Sequence, residues 1–87
     1  MSEENKYELL DCICDEINSC AESVEDRLND KLPKNSVDNI FNKYNLVFLR
    51  EENGYKEYQC NSFVFRIQLD DYNGNNNYYH IGNMGIS

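Results

Sequence analysis

Hydrophobic residues in the first third of the chain recur every three or four positions, which is the period of an amphipathic helix. Between Glu3 and Asp30 there is no glycine or proline, and one stripe of the helical wheel is apolar. That stripe holds Leu10, Ile13, Ile17, Cys20, Ala21, Val24 and Leu28. A helix over residues 1–31 is predicted. Since a straight helix of this span would run about 40 Å, it either breaks near Asn18 and Ser19 or overhangs the domain, and one continuous helix is the preferred interpretation.

The pattern then changes from helical spacing to alternation. Pro33 ends the first helix because it disfavours helical geometry in the preceding residue, and Ser36 is the predicted N-cap of a short helix over residues 36–44. Residues 46–82 predict an antiparallel meander with strands at 46–50, 55–60, 62–69 and 78–81. Asn53 and Gly54 predict a tight hairpin turn, and residues 70–77 predict a polar loop.

These elements predict a single α+β domain over residues 1–87. In this fold a long N-terminal helix and a short second helix pack on one face of a 3–4-stranded antiparallel β-meander. A chain of 87 residues has room for one modest hydrophobic core.

Charge is distributed unevenly over this framework. Sixteen acidic and eight basic residues give a net charge of −8. Residues 1–26 contain nine acids and one base, so they hold the whole excess, and residues 27–87 are neutral overall. A negative surface argues against direct binding to nucleic acid or to an anionic membrane. It favours a basic protein partner.

Six of the N-terminal acids fall within one narrow arc of the predicted helix, opposite the apolar stripe. They are Glu4, Glu8, Asp11, Asp15, Glu22 and Asp26. Like charges at this spacing cost a helix about 0.2–0.5 kcal/mol per pair. Their separation of about 4.5–6 Å along the axis is of the same order as the phosphate spacing along a nucleic-acid strand. This row is the predicted partner-binding site, and an ordinary solvated helix face is the alternative interpretation.

The functional hypothesis is a small acidic inhibitor that blocks the cationic nucleic-acid-binding groove of a basic protein, such as a nuclease. Small size and acidity are the general profile of phage or mobile-element anti-defence proteins, including anti-CRISPR proteins. An antitoxin or immunity protein that caps a basic toxin is an alternative, because it would also present a negative surface to a positive one. A structural homodimer without an inhibitory role is a further alternative.

The sequence contains no motif for catalysis, metal binding or cofactor binding. On a continuous helix Cys12 and Cys20 lie about 12 Å apart, too far to share one zinc ion. Residues 71–75 resemble the start of a calcium loop, but Gly74 is misplaced and no Glu occupies the twelfth position. His80 is not part of a nucleophile–base motif. We therefore expect neither an enzyme nor a metal, a cofactor or catalytic residues.

The chain also lacks the pattern of a secreted or membrane protein. No segment has the apolar length of a membrane span or of a signal-peptide core. The cysteine spacing is not that of a disulfide framework. A cytoplasmic location with reduced thiols is expected, in the host cell if the chain is phage-encoded. A tyrosine cluster in the meander would form a second contact surface if its members were exposed together: Tyr55, Tyr58, Tyr72, Tyr78 and Tyr79.

Overall fold

The structure is a computed structural model that describes residues 3–60 and 62–86, without the side chains of residues 3–5 and 75. These residues form three helices and five strands, and all three helices precede β2 in the sequence. The helices are α1 (Glu3–Ser19), α2 (Val24–Leu28) and α3 (Lys34–Lys43). The strands are β1 (Lys31–Pro33), β2 (Val47–Glu52), β3 (Tyr55–Cys60), β4 (Phe63–Tyr72) and β5 (Asn75–Ile86).

The predicted α+β class is confirmed, because the helices pack on a sheet in which every neighbouring pair is antiparallel. The strand order is β1-β5-β4-β3-β2. The sheet has five strands instead of three or four. The additional strand is β1, which pairs Lys31 with His80 and Leu32 with Tyr79 at the edge of β5.

The prediction of one continuous helix over residues 1–31 is wrong. At the end of α1 the Ser19 hydroxyl donates to the Asp15 carbonyl at 2.8 Å, a bond that competes with helical pairing. Ser23 then adopts extended geometry, and its side chain accepts from the Asp26 amide at 3.0 Å as the N-cap of α2. The two helical segments therefore have different axes. Val24 and Leu28, predicted in the apolar stripe, are 76% and 80% exposed.

The second predicted helix, now α3, begins at Lys34 instead of at residue 36, and its N-cap is Pro33 instead of Ser36. Its C-terminus is closed by Asn45 in left-handed geometry, at φ 57°. The Leu46 amide donates to the Phe41 carbonyl at 2.9 Å, the bond of a Schellman motif. This turn sends the chain directly into β2.

Two Asn-Gly turns join the long strands. Asn53 and Gly54 both have positive φ, which confirms the predicted hairpin between β2 and β3. Asn73 and Gly74 have the same geometry. The expected loop over residues 70–77 is therefore wrong, because β4 runs to Tyr72 and β5 begins at Asn75.

One cluster of buried side chains joins the helices to the sheet. Ile13 and Ile17 of α1 are fully buried with Val37 of α3. The predicted alternation is confirmed over residues 63–69 of β4, where the even positions are half-buried and the odd ones form the sheet side of the core. These odd positions are Phe63, Phe65, Ile67 and Leu69, all at most 7% exposed.

Replacing one leucine at a time tests this division between core and surface. Leu69→Ala should lower the free energy of unfolding by about 2–5 kcal/mol, because it leaves a cavity beneath the helices. Leu28→Ala, the same change at an 80% exposed position, should stay within about 0.5 kcal/mol of the wild type. Urea unfolding followed by circular dichroism measures both. A large loss in the Leu28 variant would contradict the interrupted helix.

Candidate protein-binding surface

The outward side of α1 carries three exposed acids, Glu8, Asp11 and Asp15, which we call the acidic face. Burial of Ile13 and Ile17 fixes the rotation of the helix, so the side opposite them points to solvent. Steps of three and four residues stack the carboxylates along about 10 Å of the axis. Glu4, also predicted for the site, falls within α1, and its side chain lies outside the described part of the structure.

The acidic face is not neutralised from within. Over residues 3–60 and 62–86, no Lys or Arg nitrogen lies within 4.0 Å of a carboxylate oxygen of Glu8, Asp11 or Asp15. Two carboxylates about 6 Å apart in water repel by about 0.7 kcal/mol. The helix can tolerate that cost, so these charges remain available to an external cation.

Glu16, one residue further along, has a structural role instead. Its carboxylate accepts from the Lys43 ammonium at 2.7 Å and from the Tyr44 hydroxyl, which ties α1 to the end of α3. These bonds hold the pKa of Glu16 below its ordinary value. The hydrogen bond to the carboxylate, with a smaller effect of burial, raises the pKa of Tyr44 to about 12. Lys43 is therefore used at the junction of the two helices and not on the acidic face.

An open cleft adjoins the acidic face where α1 meets α3. It is lined by Asp15, Glu16, Ser19, Cys20 and Ile40. Of these residues Asp15 is exposed and without an ion pair in the described chain, while Ile40, at 7% exposure, is almost completely buried and adds an apolar contact. Such a cleft suits a long cationic side chain, whose methylene stem can pack while its charged head stays at the rim.

The other two predicted site residues leave the row because the helix is interrupted. Glu22 lies between α1 and α2, and Asp26 lies on α2. The Tyr78 hydroxyl donates to Glu22 at 2.6 Å, and this bond raises the pKa of Tyr78. The Lys31 ammonium sits 4.4 Å from the centre of the same ring. Glu22 and Asp26 thus form a separate acidic site with a cation nearby.

The five tyrosines do not form one surface. Tyr58 packs edge-to-face on Phe41, with ring centres 4.9 Å apart, and Tyr79 donates to Asp38 of α3 at 2.8 Å. The remaining three hold cations elsewhere: Arg66 lies over Tyr55, and Lys31 lies over Tyr72 and Tyr78. All five are half-buried. Their rings serve internal contacts on both sides of the sheet.

The four cysteines are unpaired, and three have raised thiol pKa values. Burial raises the pKa of Cys14, Cys20 and Cys60, and neighbouring carboxylates add to the effect at Cys14 and Cys20. A raised pKa leaves less thiolate at neutral pH, the opposite of an activated nucleophile. In the described residues no group of three His, Cys, Asp or Glu side chains is close enough to hold a metal ion.

No protein-family model matches the chain, and no curated protein or solved structure is significantly similar to it. None of the helices in residues 3–60 is long and apolar enough to cross a membrane. The chemistry of this surface is therefore what bears on the function of the protein.

The hydrogen bond between Tyr44 and Glu16 needs a protonated phenol and an ionised carboxylate. Its contribution to stability is lost as pH falls through the lowered pKa of Glu16, or rises through about 12 at Tyr44. Glu16→Gln should move the pKa of Tyr44 from about 12 towards its ordinary value near 10. Phenolate absorbance, compared with a Tyr44→Phe partner of each variant, measures it. Glu8→Gln is the control and should leave this pKa unchanged.

Proposed function

We propose that the protein is a small acidic inhibitor that uses the acidic face of α1 to occupy a cationic nucleic-acid-binding groove on a basic protein. The observation that carries this proposal is the contrast between paired and unpaired acids on the same helix, α1. Glu16 is paired with Lys43, whereas Glu8, Asp11 and Asp15 are exposed and have no ion-pair partner in the described chain. Of the eight Lys and Arg residues, none forms an ion pair with these three acids within the described part of the chain.

Inhibition would follow from competition for the same cations. The negative field of residues 1–26 accelerates encounter with a positive groove. Once docked, Glu8, Asp11 and Asp15 accept charge-assisted hydrogen bonds from Arg or Lys side chains that otherwise hold phosphates. The cleft beside Asp15 and Ile40 accommodates one such side chain. A partner occupied in this way cannot bind its nucleic acid.

The interrupted helix divides the proposed contact into two parts. Glu8, Asp11 and Asp15 form the main contact, and Glu4, whose side chain is outside the described part of the structure, stays a sequence-based member of this site. Glu22 and Asp26 belong to a second contact, which is weaker because Glu22 already accepts from Tyr78 and Lys31 lies over that ring. A groove that follows α1 beyond Ser19 reaches this second contact from another direction.

The biological setting that suits this mechanism is the cytoplasm, in the host cell if the chain is phage-encoded. There an anti-defence protein would block a nuclease or another nucleic-acid-binding protein, as anti-CRISPR proteins do. An antitoxin or immunity protein that caps a basic toxin uses the same surface chemistry. A toxin gene beside the gene for this chain would favour that alternative.

Reversing the acidic face tests the proposal. A triple variant with Glu8, Asp11 and Asp15 changed to Lys should lose at least tenfold in affinity for basic nucleases that bind the wild type, which is about 1.4 kcal/mol. Purified basic nucleases immobilised on a sensor, with duplex DNA as competitor, provide the measurement. The competitor should displace the wild-type protein, since both bind one groove.

A matched triple variant separates this face from overall charge. Glu25, Glu51 and Asp70 are exposed acids outside the acidic face, and changing them to Lys alters the net charge by the same amount. This control should retain most of the affinity. Equal losses in the two variants would show that net charge governs binding, and the proposal would then fail. Circular dichroism checks that both variants fold.

Salt dependence is a second and independent test. If the three carboxylates contact cations, raising the salt concentration from about 0.05 M to about 0.5 M shortens the Debye length from about 14 Å to about 4 Å. The association rate should fall steeply for the wild type and for the control variant. It should fall much less for the acidic-face variant. A rate that is insensitive to salt in the wild type contradicts an electrostatic mechanism.

A further inference from the structure

The short helix α2 has its polar and apolar sides reversed. Within α2 the half-buried residue is Asp26, and the other four residues are exposed. Val24 and Leu28 are 76% and 80% exposed, more than any other large hydrophobic side chain in the described chain. Asp26 is two positions from each of them, so it projects about 160° away from both. The helix therefore turns its carboxylate towards the protein and its apolar side chains towards solvent.

Polar contacts hold α2 in this orientation. The helix lies against β1. The pKa of Tyr78 is raised first by its hydrogen bond to Glu22, and the negative charge of Asp26 adds to that effect from close by. The Ser23 side chain caps the first turn, and the Asn29 amide donates to the Glu25 carbonyl at 3.1 Å in the last. Most helices in proteins are stabilised by burial of an apolar face, and α2 buries none of its residues.

Val24 and Leu28 form one apolar ridge on the outward side of α2. They are four positions apart, which places them about 6 Å apart along the axis. Single exposed hydrophobic residues are ordinary on protein surfaces, but two residues at this spacing are neighbours and present one contact. Rows of side chains four residues apart pack into the grooves between the same rows of another helix. The ridge therefore has the geometry of one half of a helix–helix contact.

Acidic residues flank the ridge. Residues 22–30 contain four acids and one base, an excess of three negative charges. These charged residues are Glu22, Glu25, Asp26, Arg27 and Asp30. Over residues 3–60 and 62–86, none of them has an ion-pair partner within 4.0 Å. Because charges across an interface are complementary, a surface that covers the ridge should carry Lys or Arg around its apolar side chains.

We propose that the ridge of Val24 and Leu28 is a docking site for a basic amphipathic helix of a partner protein. The apolar side chains of that helix pack along the ridge, and its Lys or Arg side chains reach the exposed carboxylates of Glu22 and Glu25. The proposal rests on the proposed function for one point, the choice of a basic protein as the partner. It adds an apolar component to the second contact, where Glu22 already accepts from Tyr78.

The same charges disfavour other occupants of the ridge. A second copy of the chain would bring an equal excess of three negative charges to the contact, and like charges that face each other across an interface are unfavourable. Nucleic acid and an anionic membrane surface are repelled for the same reason. With five residues, α2 is also only about 7.5 Å long, much shorter than the amphipathic helices that lie in a membrane surface.

Two synthetic helical peptides of equal charge test the proposal. One combines Lys with a stripe of Leu, and the other has Ala in place of every Leu; a length of about 15 residues is enough for both to form helix. In NMR titrations of the wild-type chain, the Lys/Leu peptide should bind at least about tenfold more tightly than the Lys/Ala peptide. It should also shift the methyl signals of Val24 and Leu28, because these side chains form the contact.

Shortening the side chains of the ridge separates this contact from general charge attraction. Leu28→Ala should weaken binding of the Lys/Leu peptide about fivefold or more and leave binding of the Lys/Ala peptide unchanged. Val24→Ala should act in the same direction, whereas Val47→Ala, the same change at a 60% exposed position on β2, should have no effect. Equal affinity of the two peptides for the wild type, no binding of the Lys/Leu peptide, or equal losses in the two valine variants would overturn the proposal.

The variant with Glu8, Asp11 and Asp15 changed to Lys distinguishes this proposal from the inhibitor hypothesis. In that variant the Lys/Leu peptide should still shift the methyl signals of Val24 and Leu28. If the shifts disappear there and are confined to methyl groups of α1 in the wild type, the peptide binds the acidic face and the ridge is not a docking site. A chain that binds no basic nuclease but binds the Lys/Leu peptide through α2 would reject the inhibitor hypothesis alone.

Discussion

The arrangement of this protein depends on one constraint, the interruption of the N-terminal helix after Ser19. A single straight helix over the span predicted from the sequence would run about 40 Å, more than the longest dimension of the molecule, which extends 37 × 25 × 19 Å. Such a helix would overhang the sheet. Because the chain turns at residues 20–23, Leu32 can enter the core and β1 can pair with β5. The short return through β1 then brings α3 onto the same core as α1.

Sequence patterns predicted those parts of the fold that depend on neighbouring residues. The alternation in β4 and the Asn53–Gly54 turn are local, and both are confirmed. Asn73–Gly74 gives the same turn signal, but the surrounding polar residues favoured a loop. Ser23, three residues before Asp26, is an N-cap signal that the sequence contains. A helical wheel does not show such a signal, because the wheel treats every position as helical. β1 could not be predicted from the sequence, because a segment of three residues forms a strand only through pairing with a partner far along the chain.

The candidate site shows the same limit. Sequence predicted an acidic row, and the structure preserves its N-terminal part on α1, while the helix break separates Glu22 and Asp26 from it. Which acids are used internally depends on tertiary contacts. Glu16 has the same chemistry as its neighbours, yet only the position of Lys43 and Tyr44 on another helix gives it a structural role. The acidic face consists of the carboxylates that the fold leaves without such partners.

The order of strands in the sheet also determines when the fold can be completed. β2, β3, β4 and β5 follow one another as hairpins, so their contacts are local and close early. Pairing of Lys31 with His80 joins residues that are far apart in the sequence and closes a long loop. α1 packs on α3 and on β5, so the core that joins α1 to the sheet is complete only after β5 has been synthesised. Until then the apolar side of α1 is incompletely covered, and the exposed carboxylates on its other side help to keep the nascent segment soluble.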